Sequence, residues 1–116
     1  MHYRVVEKDL RKMQVGRRYK GYMCVLHAVD LSIRNEEYLW HVTKELYPKI
    51  AECMKTNRKN VEHDIRYLIT KCWENNPAYL CEIAGYPLDR PPTSREFIEI
   101  LVNHELRETK TLQKAL

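Results

Sequence analysis

The side chains best suited to do chemistry lie between Arg58 and Trp73. On a helical wheel, Lys59, His63, Arg66, Tyr67 and Thr70 fall together, and Val61, Ile65, Leu68, Ile69 and Cys72 lie within about 50 degrees of the opposite direction. A helix built this way packs through one face and presents Lys, His, Arg and Tyr through the other. Those donors can reach phosphates and base edges once such a helix lies in a DNA major groove. For Arg66 a second reading stands, a surface ion pair with Glu62 one helical turn earlier. Glu62 can accept from a cytosine amino group or simply orient Arg66. Arg58, Lys59 and Lys20 are candidates for phosphate neutralisation, which positions a protein without carrying sequence information.

The elements around this helix must hold it in place. Thr56 and Asn57 are good N-caps for it, and the polar stretch Lys55-Thr56-Asn57 reads as a tight connection from the preceding helix. That helix carries Ala51, whose small side chain lets two helices cross closely, so residues 47–73 have the proportions of a helix-turn-helix. Plain helical hairpins share those proportions, and both readings remain open on pattern alone.

With only three glycines and five prolines, and no sustained alternation, the chain reads as all-α. The expectation is about six helices in one compact bundle over residues 1–116. A short first helix carries Val6, Leu10 and Met13 and ends near Gly16. A second, Gly21 to Arg34, has an apolar stripe of Tyr22, Val25, Leu26, Val29 and Ile33. Glu36 to Met54 is helical in pattern, with a kink or restart at Tyr47-Pro48. Ala78 to Ala84 forms a short helix closed by Gly85. Thr93 and Glu96 form a capping box for a last helix burying Phe97, Ile98, Leu101, Val102 and Leu106, with a polar, frayed tail from Glu108. The aromatic residues Tyr22, Trp40, Trp73, Tyr86 and Phe97 sit at core spacing rather than as a stacking platform.

The remaining composition narrows the function classes. The four cysteines form no C-x-x-C pair and read as buried, reduced thiols; Cys24 and His27 alone do not make a metal site, so no metal and no cofactor is expected. No nucleophile is paired with a base and no glycine-rich loop cradles phosphate, so catalysis is not expected. No apolar run is long enough to cross a membrane and no secretory leader opens the chain, which points to a cytoplasmic protein without a membrane partner. The formal charge is +4, with seven basic residues among the first twenty (Arg4, Lys8, Arg11, Lys12, Arg17, Arg18 and Lys20). Such a patch either attracts a polyanion or is a solvated face.

Several strings stand together in order and spacing: KGY at Lys20 to Tyr22, TKELYPKIA from Thr43 to Ala51, VEHDIRYLI from Val61 to Ile69, Trp73, Gly85-Tyr86, and PTSREFIEI from Pro92 to Ile100. In these the chain resembles the C-terminal DNA-binding effector domain of the sporulation initiation factor, the stage zero sporulation response regulator. The resemblance spans roughly Leu10 to Arg107. It implies a six-helix domain with a helix-turn-helix, sequence-specific regulation of transcription, double-stranded DNA bearing TGTCGAA-like boxes as partner, and self-association of neighbouring copies on tandem boxes. In the family a phosphorylated receiver precedes this domain, and no receiver fits within these residues.

The family reads bases through a pattern resembling R-V-E-R-A-I-R-H. Here Glu62 and Arg66 match it, whereas Asn60, His63 and Tyr67 stand where the family has Arg, Arg and His, and Asp64 replaces a small residue. Arginine donates bidentately to guanine and asparagine suits adenine, so the altered set implies changed base preference or weaker binding. The expected DNA-binding residues are therefore Lys59, Asn60, Glu62, His63, Arg66, Tyr67, Arg58, Thr56 and Lys20. Arg90 is the candidate to replace the family lysine before Pro-Thr, a position held by Pro91. The same substitutions motivate an alternative: a protein-association module that modulates a full-length relative without specific DNA binding.

Overall fold

The computed structural model describes the backbone of residues 3–115 and the side chains of residues 3–110. Among them are six α-helices and no strand: α1 (Arg4–Lys12), α2 (Lys20–Arg34), α3 (Tyr47–Met54), α4 (Arg58–Asn75), α5 (Pro77–Ala84) and α6 (Ser94–Ala115). The all-α reading of the sequence holds, with one core shared by all six helices. Its largest wholly buried side chains include Leu10, Leu26, Leu46, Ile50, Ile65, Leu68, Phe97 and Leu101.

The helix ends follow from local chemistry. Asn57 caps α4 by accepting the Asn60 N–H at 2.9 Å, and Asn76 caps α5 by accepting the Tyr79 N–H at 3.1 Å, with Pro77 in the first turn. The capping box at α6 forms as read: the Thr93 N–H donates to Glu96 Oε1 at 2.9 Å, and the Glu96 N–H donates to Thr93 Oγ1 at 3.2 Å. Gly85, at φ 83°, closes α5 in the left-handed region. Helix α1 ends earlier than expected, because Gln14 rather than Gly16 adopts positive φ, 60°. The Val15 N–H then reaches back to the Leu10 carbonyl at 3.0 Å, and burial of Val15 offsets the strain.

The stretch before α3 is more broken than the sequence implied. A 3-10 turn (Glu36–Leu39) is followed by an interruption at Trp40 and His41, then a π-helical turn (Val42–Leu46) that leads into α3. The restart at Tyr47 occurs where Pro48 removes a backbone donor. Ahead of it the wider turn takes both the Glu45 and Leu46 N–H groups to the His41 carbonyl, at 2.8 and 3.1 Å.

Four further expectations are corrected. Leu106 is 47% exposed; Glu105 turns inward instead, because its carboxylate accepts the Val5 and Val6 N–H groups at the start of α1, which no helical carbonyl could reach. Trp40 and Tyr86 are exposed rather than core, whereas Tyr22 and Phe97 are buried. Of the cysteines only Cys24 and Cys72 are fully buried; Cys53 lies on the outer face of α3, and Cys81 is half-buried, accepting the Leu88 N–H. Helix α6 continues past Glu108, where Glu108 meets His104 and Thr109 donates to Glu105; the side chains of 111–116 in the expected frayed tail lie outside the described residues.

Candidate nucleic-acid interface

Helix α4 divides as its wheel requires. Val61, Ile65, Leu68, Ile69 and Cys72 are buried, while Lys59, His63, Arg66, Tyr67 and Thr70 are exposed. Its inner face packs chiefly on α2 and α3. The crossing with α2 is close enough that a Cβ added to Gly21 would meet the Asp64 carbonyl oxygen at 2.3 Å. Ala51, the small residue expected to permit close packing, is buried in α3, but the tightest demand falls on Gly21.

Six of the nine expected residues have defined side-chain partners. Arg66 Nη2 lies 2.8 Å from Glu62 Oε1, so the one-turn ion pair exists, on side chains 71% and 36% exposed. Asn60 Nδ2 donates to Thr56 Oγ1 at 2.9 Å, tying the first turn of α4 to the connection before it. His63 Nδ1 sits 3.6 Å from Asp64 Oδ1. Tyr67 stacks at a tilt on Tyr19, ring centroids 6.1 Å apart, with Lys71 Nζ 5.5 Å from its ring. Arg58 and Lys59 are exposed and join no ion pair among the described residues. Lys20 opens α2 and lines, with Arg18, Tyr19, His63, Asp64 and Tyr67, a hollow of about 480 Å³ along one flank of α4. The structure thus assembles Lys59, Glu62, His63, Arg66 and Tyr67 on one open face, puts Lys20 on its flank, and leaves Thr56, Arg58 and Asn60 at its leading end.

The opposite flank is a hollow of about 590 Å³ between α4 and the start of α6, lined among others by Thr43, Glu62, Arg66, Thr70, Arg90 and Arg95. Arg90 is engaged there: its guanidinium donates to Glu96 at 2.9 Å and to the Pro91 carbonyl at 3.1 Å. The Arg90 hydrogen bond, followed by that from the Thr93 N–H, holds the Glu96 carboxyl below its ordinary range. Tyr47, under the same hollow, has its phenol pushed up by burial.

The basic N-terminal segment does not form one patch. Arg17 pairs with Glu7 at 3.6 Å, Lys8 and Lys12 line a separate hollow between α1 and α6, and only Arg18 and Lys20 reach the α4 flank. Sequence reasoning also missed Arg95, whose guanidinium lies 4.6 Å from the centre of the exposed Trp40 ring. No local pattern could have revealed that pair, since its partners come from distant parts of the chain.

A compact helical domain that displays a polar, largely cationic helix face between two basic-lined flanks has the character of a DNA-binding domain. The chain belongs to the family described as sporulation initiation factor Spo0A C terminal, which it matches over residues 6–105. That family consists of DNA-binding effector domains that regulate transcription in sporulation, and the chain is a DNA-binding regulator of this kind. Among the described residues no helix is long and apolar enough to cross a membrane.

Proposed function

We propose that this domain binds duplex DNA sequence-specifically by inserting α4 into the major groove. Glu62 and Arg66 read base edges, Asn60, His63 and Tyr67 complete the reading set, and Lys59 assists. Arg58, Thr56 and Lys20 meet the phosphate backbone. The observation that carries this reading is the outer face of α4, where Lys59, His63, Arg66 and Tyr67 project together from a helix anchored on its other side by five buried residues. The ion pair between Arg66 and Glu62 is compatible with it, because an exposed pair is worth little in water and the guanidinium is free to exchange one acceptor for another. On tandem boxes two copies would sit side by side.

Fluorescence anisotropy with a duplex carrying TGTCGAA-like boxes, against a scrambled duplex, tests the reading. Tighter, saturable binding to the boxes supports it, and Arg66→Ala is then expected to cut the preference by about 10- to 100-fold, the worth of one good base contact. Unchanged affinity of Arg66→Ala for every duplex refutes the placement of α4. Binding to neither duplex refutes specific DNA recognition and favours association with a longer relative.

A further inference from the structure

Trp40 is 65% exposed, the largest fraction among the exposed large hydrophobic side chains of the described residues, and it follows the 3-10 turn that interrupts the chain before α3. An indole left in water at this position makes no contribution to the core. What it does carry is the guanidinium of Arg95, 4.6 Å from its ring centroid. Arg95 stands in the first turn of α6 and lines the same hollow as Arg66 and Thr70 on the exposed side of α4. Its charge differs from those of its neighbours. Arg66 is compensated by Glu62 and Arg90 by Glu96, whereas Arg95 joins no ion pair among the described residues.

A guanidinium held through its face on an aromatic ring keeps its in-plane N–H donors for an oxyanion and surrenders less side-chain freedom when it binds one. We propose that Arg95, braced on Trp40, is a phosphate clamp for duplex DNA: it grips the backbone at the α6 flank of the groove that α4 enters. It supplies affinity and position without reading bases. The proposal rests on α4 as the groove-entering helix and adds to it a residue pair that lies outside the helix-turn-helix.

The test measures anisotropy with the box duplex and the scrambled duplex from about 50 to 200 mM salt. Each phosphate neutralised contributes about 0.9 to the slope of log affinity against log salt, so Arg95→Ala is expected to flatten that slope by about 0.9 on both duplexes. Over this range the variant then loses about 3.5-fold less affinity than the parent does. Trp40→Ala, which keeps the charge and removes the brace, is expected to weaken both duplexes by about 2- to 5-fold with the slope retained. Arg95→Lys restores the slope, which separates loss of charge from any disturbance of α6. Lys110→Ala, about 22 Å along α6 from Arg95, serves as the charge-matched control and leaves the slope unchanged.

An Arg95→Ala slope equal to the parent's overturns the clamp. If Arg66→Ala still erases the box preference in that experiment, groove insertion of α4 stands without it. A loss confined to the box duplex also overturns the clamp, since it marks a base contact. A parent protein that binds neither duplex overturns both readings together.

Discussion

Gly21→Ala sets two effects of opposite sign against each other. In helix propensity alone, alanine is better than glycine by up to about 1 kcal/mol, so a helix with room for a methyl group gains stability. At this position the added Cβ lies 2.3 Å from the Asp64 carbonyl oxygen, 2.9 Å from its carbon and 3.2 Å from Leu68 Cβ. Ordinary carbon–oxygen contacts begin near about 3.3 Å, so α2 and α4 must part by roughly 1 Å. The obstacle is helix backbone, which has no rotamer through which to withdraw. Overpacking costs about 1–3 kcal/mol, and against rigid backbone the upper part of that range applies, about 2–3 kcal/mol, leaving a net destabilisation of about 1–2 kcal/mol after the propensity gain. For 116 residues the unfolding entropy is about 0.24 kcal/mol/K, so Tm is expected to fall by about 4–8 °C. Thermal unfolding followed by far-UV circular dichroism measures it. A Tm that stays level or rises refutes the close crossing. Anisotropy below the transition supplies a second readout, because parting the helices moves the outer face of α4 relative to Lys20 and lowers DNA affinity.

Two further predictions follow from the chemistry of individual groups. Burial, reinforced at Cys24 by the charge of Asp64, pushes the Cys24 thiol up to about 11, and burial pushes Cys72 up to about 12; with Cys53 exposed, a thiol reagent applied to the native protein is expected to modify Cys53 first and to spare Cys24 and Cys72, and rapid labelling of either buried thiol would contradict the packing. Because the Glu96 carboxyl is held below its ordinary range when folded, its contribution to stability is complete above the usual glutamate pKa of about 4.3 and is lost as pH falls through the lowered folded value. Glu96→Gln is therefore expected to be less stable than the parent in urea at about pH 7, with the difference shrinking below about pH 4, and a pH-independent difference would contradict the sign.

Much of this architecture is legible because single residues announce it. Thr93 and Glu96 give the start of α6, Asn57 the start of α4 and Gly85 the end of α5, each through a hydrogen-bonding or backbone requirement that few other residues meet. The two-faced character of α4 is legible for the same reason, since its apolar positions recur at helical spacing. What stayed hidden depends on partners far away in the chain. Nothing near Leu106 and Glu105 tells which of them turns inward; the unsatisfied N–H groups of α1 decide it. Gln14 adopts the conformation that Gly16 was expected to supply because burial of Val15 outweighs a glycine's freedom. Trp40 looks like a core residue until the 3-10 turn before it directs the indole outward.

The same distinction between local and distant partners bears on the positions where this chain departs from its family's reading pattern. Asn60 is tied to Thr56 at 2.9 Å, and Tyr67 is stacked on Tyr19 beneath Lys71, so each must give up a defined contact before it can meet a base. The His63 side chain is 81% exposed and lies 3.6 Å from Asp64. Arg66 is paired with Glu62 at 2.8 Å on its own side of the helix, and in the proposed reading it would exchange that carboxylate for a base. In that reading, Glu62, His63 and Arg66 therefore meet bases with the least rearrangement, and Asn60 and Tyr67 complete the reading set only after leaving those contacts. An altered base preference is then expected to centre on the base pairs opposite the middle of α4, where the ring nitrogens of His63 stand in place of an arginine's fork.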